Sequence, residues 1–260
     1  MAVATYLDRI LEHHRARTRA DARSLDELIA SALACPPPRG FARAIRDTPH
    51  LAVIAEIKRR SPSKGDLNAG LDPARMARTY QAGGASCLSV LTDEVHFGGS
   101  ESDLRAARAA CDLPVIRKDF TVDARDVCDA RIMGADCVLL IAAALSAAEL
   151  EEFIELARRI DIDALVEVHD ETELSAALSA GASMIGVNQR DLVTFEVDHA
   201  RAVRMGSAIP GHVVKVAESG VRGRDDASSL RAAGYDAVLV GEHLVTAADP
   251  AAALTELCVD

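Results

Sequence analysis

One grammar recurs four times along this chain, and it constrains the fold more than any other feature. It reads Gln81-Ala-Gly-Gly-Ala-Ser-Cys-Leu-Ser-Val90, Ile132-Met-Gly-Ala-Asp-Cys-Val-Leu-Leu140, Ser179-Ala-Gly-Ala-Ser-Met-Ile-Gly-Val187 and Ala232-Ala-Gly-Tyr-Asp-Ala-Val-Leu-Val240. Each time an alanine-rich amphipathic stretch ends in glycine, and an apolar run follows within a few residues. Glycine suits the position just past a helix C-terminus, because it enters the left-handed region without a Cβ penalty. An unbroken apolar run suits a parallel strand buried on both faces. The repeat is therefore helix, turn, strand.

Four further apolar runs lie between these units: Leu51–Lys58, Leu113–Lys118, Ala164–Val168 and His212–Ala217. Together they make eight strands, each followed by a helical pattern, which is the rhythm of parallel βαβ units. Eight such units in a chain of 260 residues favour an α/β fold of the closed (β/α)8 kind, a TIM barrel, over a doubly wound open sheet. The first strand is not followed by the G-x-G-x-x-G fingerprint, which weakens the dinucleotide-binding version of the open sheet. Before the first strand, Thr5–Arg17 and Leu25–Ala34 read as helices, and Pro36-Pro-Pro38 breaks the chain. We read residues 1–48 as an N-terminal helical extension packed on the barrel, and 49–260 as the barrel itself.

Composition excludes several functions. The net charge is −11 and no block of Lys and Arg stands apart from the acids, which speaks against a nucleic-acid partner. The longest apolar stretch, Val138 to Ala148, is too short to span a bilayer and is interrupted by Ser146. Residues 1–15 lack the apolar centre of a signal peptide. The six cysteines show no C-x-x-C spacing, and several sit inside apolar runs. They read as small core residues of a cytoplasmic protein, not as disulfides or zinc ligands.

Active sites of such barrels form at the C-terminal ends of the strands, so charge interrupting an apolar run at that end is informative. Strand one carries Glu56 and Lys58, two apart and thus on one face. Strand three ends Arg117-Lys118-Asp119-Phe120, strand five holds Glu167 and His169, strand six leads into Asn188-Gln-Arg190, and strand seven ends Glu218-Ser219-Gly220. Buried ions are costly unless paired, so any one of them is explained by a structural ion pair. Several strands delivering such groups to one mouth point instead to general acid–base chemistry, since mixed lysines and glutamates shift each other's pKa. Separately, Gly220 after strand seven and Gly241 after strand eight are placed to offer backbone amides to phosphate. Glu242 would oppose an anion, so its side chain is expected to point away. His169 reads as a structurally satisfied residue. His13, His14, His50, His199, His212 and His243 do not fall at metal-ligand spacing with carboxylates, so no metal is expected.

Taken together, the segments Ala55-Glu-Ile-Lys-Arg-Arg-Ser-Pro-Ser-Lys-Gly65, Phe97-Gly-Gly-Ser100, Arg117-Lys-Asp-Phe120, Leu165-Val-Glu-Val-His169, Gly186-Val-Asn-Gln-Arg-Asp-Leu192 and Val216-Ala-Glu-Ser-Gly220 resemble the indole-3-glycerol phosphate synthase family, in order across nearly the whole barrel. That resemblance implies closure of the indole ring from 1-(2-carboxyphenylamino)-1-deoxyribulose 5-phosphate, with loss of carbon dioxide and water and with no cofactor or metal. It implies Lys118 as the ring-closing general acid, Lys58 as partner of the substrate carboxylate and an acid in dehydration, and Glu56 and Glu167 as the remaining proton carriers. Asn188, Glu218 and Ser219 would position the sugar, with Arg190 in support. Ser61, Gly220 and Gly241 would hold phosphate, and Phe97, Phe120, Leu139 and Leu192 would wall the aromatic ring. The family's N-terminal extension helps cover its site. His96 and Val193 stand where the family often has an aromatic and a polar residue. The resemblance further implies a phosphorylated small molecule as partner; the chain is expected to be a monomer or weak homo-oligomer. Two rivals stay open: a sugar-phosphate isomerase such as phosphoribosylanthranilate isomerase, whose strand-one cysteine base is replaced here by Glu56 and Lys58, and a barrel that only binds a phosphometabolite.

Overall fold

In a computed structural model, which describes residues 5–61, 64–191 and 196–260, eight parallel strands close into a barrel. They are β1 (Ala52–Ile57), β2 (Cys87–Leu91), β3 (Val115–Lys118), β4 (Cys137–Ile141), β5 (Asp163–Val168), β6 (Met184–Asn188), β7 (Val214–Glu218) and β8 (Ala237–Val240). Each pairs with its neighbours in sequence, and β8 closes on β1 with Ala237 opposite Ala52 and Val240 opposite Ala55. The open doubly wound sheet is excluded. β3 starts two residues into the apolar run that begins at Leu113, because Pro114 has no amide to give a ladder, and β7 starts two residues into the run that begins at His212.

The repeat's glycines do what the sequence asks of them. Gly84, Gly134, Gly181 and Gly234 have φ of +95°, +96°, +84° and +85°, so in every one of the four units the chain leaves its helix through a left-handed turn and enters a strand.

Two cores result from the alternation of side chains along each strand. Outward residues such as Val53, Leu88, Val138, Val166, Ile185 and Val238 pack under the helices in one cluster. Inward residues such as Ile54, Ile116, Leu139, Leu165, Met184 and Val216 fill the barrel in a second. Three helices precede β1: α1 (Tyr6–Arg19), α2 (Leu25–Leu33) and α3 (Phe41–Arg46). The first two follow the sequence pattern, Thr5 forming a capping box at the start of α1 and Ser24 capping α2. The third was not legible, being six residues long with glycine at its N-cap. It closes the N-terminal end of the barrel, where fully buried Phe41 and Ile45 join the inner cluster beside Ala52 and Val214. The opposite end is left for chemistry.

Candidate active site

On the odd-numbered strands the inner face ends in a different kind of residue from the one beneath it. On β1, β3, β5 and β7 the inward sequence runs Ile54 then Glu56, Ile116 then Lys118, Leu165 then Glu167, Val216 then Glu218. Alternate strands of such a barrel contribute to the same layer. Four charged groups from the odd-numbered strands therefore meet above an apolar floor. The strands between supply small or apolar neighbours, and one of them is compulsory. A Cβ built on Gly186 of β6 would lie 2.1 Å from Glu218 Oε1, so only glycine makes room for that carboxylate.

Lys118 is the centre of the layer. Its Nζ lies 3.2 Å from Glu167 Oε2 and 3.7 Å from Glu218 Oε2. Burial alone would drive the ammonium toward neutrality, but Glu167, Glu218 and Glu56 outweigh it and raise the lysine pKa, so the proton stays on. The two glutamates split. Burial raises Glu167, yet Lys118, His169 and Asn188, whose Nδ2 donates to Oε1 at 3.0 Å, hold it well below the usual carboxylate range. Glu218, equally buried and repelled by Glu167, is pushed up to about 8, and its Oε1 makes no hydrogen bond among the described residues. Two carboxyl groups around one ammonium thus carry one proton between them near neutral pH. Glu56 and Lys58, on the same face of β1 as their spacing requires, form an ion pair with each other.

Above this layer opens a cavity of about 450 Å³. One wall is apolar: Phe97 and Phe120, ring centroids 6.2 Å apart, stand near Leu139, while Tyr6, Leu7 and Ile10 of α1 reach over from the extension. The opposite wall is made of turns. Ser219 and Gly220 follow β7 in consecutive left-handed conformations, φ +68° and +79°, a strain held in part by Gln189, whose Nε2 donates to the Ser219 carbonyl at 2.8 Å. Gly241 follows β8, and a Cβ there would lie 2.2 Å from Glu56 Oε1. Ser61 Oγ is buried without a hydrogen-bond partner among the described residues at this end of the lining. Glu242, whose sign would oppose an anion, is drawn to Lys64 Nζ at 3.6 Å. Arg190 lines the same cavity, its backbone amide donating to Asn188 Oδ1 at 3.0 Å. Of the residues singled out from sequence, Leu192 lies outside the described residues, as does Val193; the others named as acid, base, phosphate or aromatic contacts all line this one cavity.

The indole-3-glycerol phosphate synthase family model matches residues 7–257. Indole-3-glycerol phosphate synthase 2 of Streptomyces coelicolor is 53% identical over 239 residues, covering 92% of each chain. The synthase of Mycolicibacterium smegmatis is 50% identical over 259 residues, 99% of this chain and 95% of that one. This chain belongs to the indole-3-glycerol phosphate synthase family. Among solved structures, thiamine phosphate pyrophosphorylase from Pyrococcus furiosus superposes with a TM-score of 0.60 at 17% identity, over 81% of this chain and 94% of that one. That likeness is one of fold.

Within the family frame, the structure adds contacts that spacing along the chain hides. His14, on α1, places Nε2 2.9 Å from Asp93 Oδ2, and His96 places Nδ1 3.0 Å from the same oxygen. Spacing along the chain shows no metal-ligand pattern between His14 and a carboxylate; the folding of α1 onto the loop after β2 brings His14 to Asp93, 79 residues away, beside the local His96. Burial opposes the Asp93 charge, but the two imidazoles and the His96 amide hold its carboxyl far below the usual range. Asp93 also caps the short helix Glu94–Phe97 that carries Phe97 into the cavity wall. On the outer face of β3, buried Arg117 binds Asp119 at 2.8 Å, Thr92 at 3.2 Å and the Asp126 carbonyl at 2.9 Å. It fixes the strand whose next residue is Lys118. Its only sequence signal is a charge in an apolar run, shared with Lys118 and pointing the other way.

Proposed function

We propose that this chain closes the indole ring, converting 1-(2-carboxyphenylamino)-1-deoxyribulose 5-phosphate to indole-3-glycerol phosphate with release of carbon dioxide and water. The observation that carries the reading is the Lys118 ammonium set between ionised Glu167 and protonated Glu218 under an aromatic wall and a pair of glycine turns. The turns at Ser219–Gly220 and Gly241, with Ser61, take the phosphate. Phe97, Phe120 and Leu139 take the ring, and Lys58, relieved of Glu56, takes the carboxylate.

The ring carbon that bears the carboxylate attacks the sugar carbonyl carbon, and Lys118 gives its proton to the carbonyl oxygen. A lysine kept charged by three carboxylates is ready for this at neutral pH. The carboxylate departs as carbon dioxide and its electron pair restores the aromatic ring. The new hydroxyl then leaves as water with a proton from Lys58, while Glu167 accepts the proton from the carbon next to nitrogen, which forms the second double bond. Asn188 and the carboxylic acid of Glu218 hold the sugar hydroxyls, and Arg190 steadies Asn188. No cofactor or metal is required by these steps.

The same reading makes residues 1–48 an extension that covers the site and 49–260 the catalytic barrel, working in the cytoplasm as a monomer or weak homo-oligomer. Among the described residues no helix is long and apolar enough to cross a membrane.

The protein has no tryptophan and three tyrosines, so the product supplies a fluorophore that the enzyme lacks. Mixing purified protein with the carboxyphenylamino sugar phosphate, without metal or nucleotide, gives indole emission that grows over many turnovers. An isomerase stops before ring closure and a binding barrel gives at most a stoichiometric change; absence of the growing signal from folded protein refutes the proposal.

A further inference from the structure

His169 takes no part in the steps above, yet two carboxylates converge on its ring. It lies just past the end of β5, two residues after Glu167. Its Nδ1 sits 3.0 Å from Glu173 Oε2, and its backbone amide donates to the same oxygen at 2.8 Å. Glu173 belongs to the first turn of the following helix, Glu171–Ser179, so the clamp comes from an element that is itself fixed. Held this way, the ring carries Nε2 to 3.4 Å from Glu167 Oε1. That nitrogen is buried and makes no hydrogen bond among the described residues. Lys118 meets the other oxygen of the same carboxylate, Oε2.

We propose that His169 is a positioning residue for Glu167: clamped by Glu173, it sets a cationic ring against Oε1 and so reserves Oε2 for Lys118 and the substrate. A histidine that merely fills space needs neither the clamp nor a second carboxylate. A buried ring between two acids is costly unless it is charged. Burial favours the neutral ring, but Glu167 and Glu173 overcome it and push the imidazole up to about 10. The groups facing it are Glu167 on its own strand and Glu173 on the next helix; behind Glu167 stand Lys118 from β3, Asn188 from β6 and Glu218 from β7. The 3-10 turn Ala142–Ala144 packed against β5 and that helix adds only alanines. Glu167 is thus bracketed by two cations and Glu218 faces one of them, which is why the shared proton rests on Glu218. The inference rests on the proton-accepting role proposed for Glu167.

The test uses the full chain with four single variants and one double variant, following kcat, KM and the acidic limb of the kcat–pH profile. His169→Ala should lower kcat about 10- to 100-fold, the scale on which a displaced reacting group matters, with inhibition by inorganic phosphate unchanged. It should also move the acidic limb to higher pH, because Glu167 with one cation fewer binds its proton more tightly. His169→Gln, which returns a neutral donor, should recover part of kcat and leave the limb displaced. Glu173→Gln, which loosens the clamp, should displace it the same way by less. In a Glu167→Gln background, His169→Ala should change turnover by less than about twofold. Wild-type kcat and an unmoved limb in His169→Ala, or an undiminished effect in the Glu167→Gln background, overturns the proposal. Glu167→Gln alone tests the underlying role: full turnover there removes Glu167 from the chemistry, and this inference with it.

Discussion

Lys118 keeps its proton because of three residues that are not adjacent to it in sequence, and that proton is what the proposed ring closure uses. Its ammonium is surrounded by Glu167, Glu218 and Glu56, each from a different strand. Lys118→Met keeps the length and apolar stem and removes the proton. Turnover should fall at least about 10²–10⁴-fold, the usual worth of a general acid, while inorganic phosphate still competes. A variant that retains a tenth of wild-type kcat shows that another group is the acid. Glu218 makes a second prediction. In the proposed mechanism its carboxylic acid donates to substrate and adds no charge; above about pH 8 it ionises beside Glu167 and Glu56. Its raised pKa means that the active form is present below that pH and lost above it, so kcat should decline on a basic limb near 8. Glu218→Gln, neutral at every pH, should abolish that limb even if its maximal rate is lower; a limb that persists belongs to another group.

At the scale of elements, α1 is the part of the molecule that folding adds to the site from outside the barrel. It delivers Tyr6, Leu7 and Ile10 to the cavity wall. It is anchored at its middle by His14 on Asp93, both almost wholly buried, and at its end by Arg17 on Asp126 at 2.5 Å. Hydrogen bonds to a buried charge contribute about 1.5–3 kcal/mol each. Asp93→Asn preserves the cap on Glu94–Phe97, since asparagine caps as well as aspartate, but removes the charge that two imidazoles share. Hydrogen exchange should show residues 6–19 losing about 1.5–3 kcal/mol of protection while the strands keep theirs. KM should rise more than kcat falls. Equal protection in both proteins would mean that Arg17, Arg15 on Glu149 and the Ala144 carbonyl, and apolar packing hold the helix without the Asp93 charge.

For the molecule as a whole, the site is a load on a barrel closed at its other end. A ligand that binds only the folded form stabilises it by mass action, about 2.7 kcal/mol at a hundred times Kd, which for a domain of this size is roughly 5–10 °C in Tm. Inorganic phosphate should give such a rise through the Ser219–Gly220 and Gly241 turns. Gly220→Asp puts a carboxylate there, and its Cβ would also meet Val197 Cγ1 at 2.5 Å, so its Tm without phosphate will fall. The quantity to read is the increment with phosphate, which should vanish. An undiminished increment would place the anion elsewhere.

The chain by itself determined the eight strand units, four of them because a helix-ending glycine before an apolar run is local information and four from apolar runs alone, and Gly84, Gly134, Gly181 and Gly234 all turned left-handed as that pattern asks. It also determined which charges stand at strand ends: Glu56, Lys58, Lys118, Glu167 and Glu218 are visible as interruptions of apolar runs, and the alternation of side chains along a strand tells which of them share a face. Tertiary structure decided everything that depends on distance across the barrel. Arg117 and Lys118 are one charged pair in the sequence; the pleat sends the first under the helices and the second into the site. Glu167 and Glu218 look alike until one of them receives His169 and Asn188 and the other is left with a share of Lys118. Gly186 looks like part of a strand until Glu218 needs its space. His14 and Asp93 carry no mutual signal at all, since nothing local encodes where α1 comes to rest. Closure of the barrel is what converts a list of strand-end charges into a site with one proton between two glutamates.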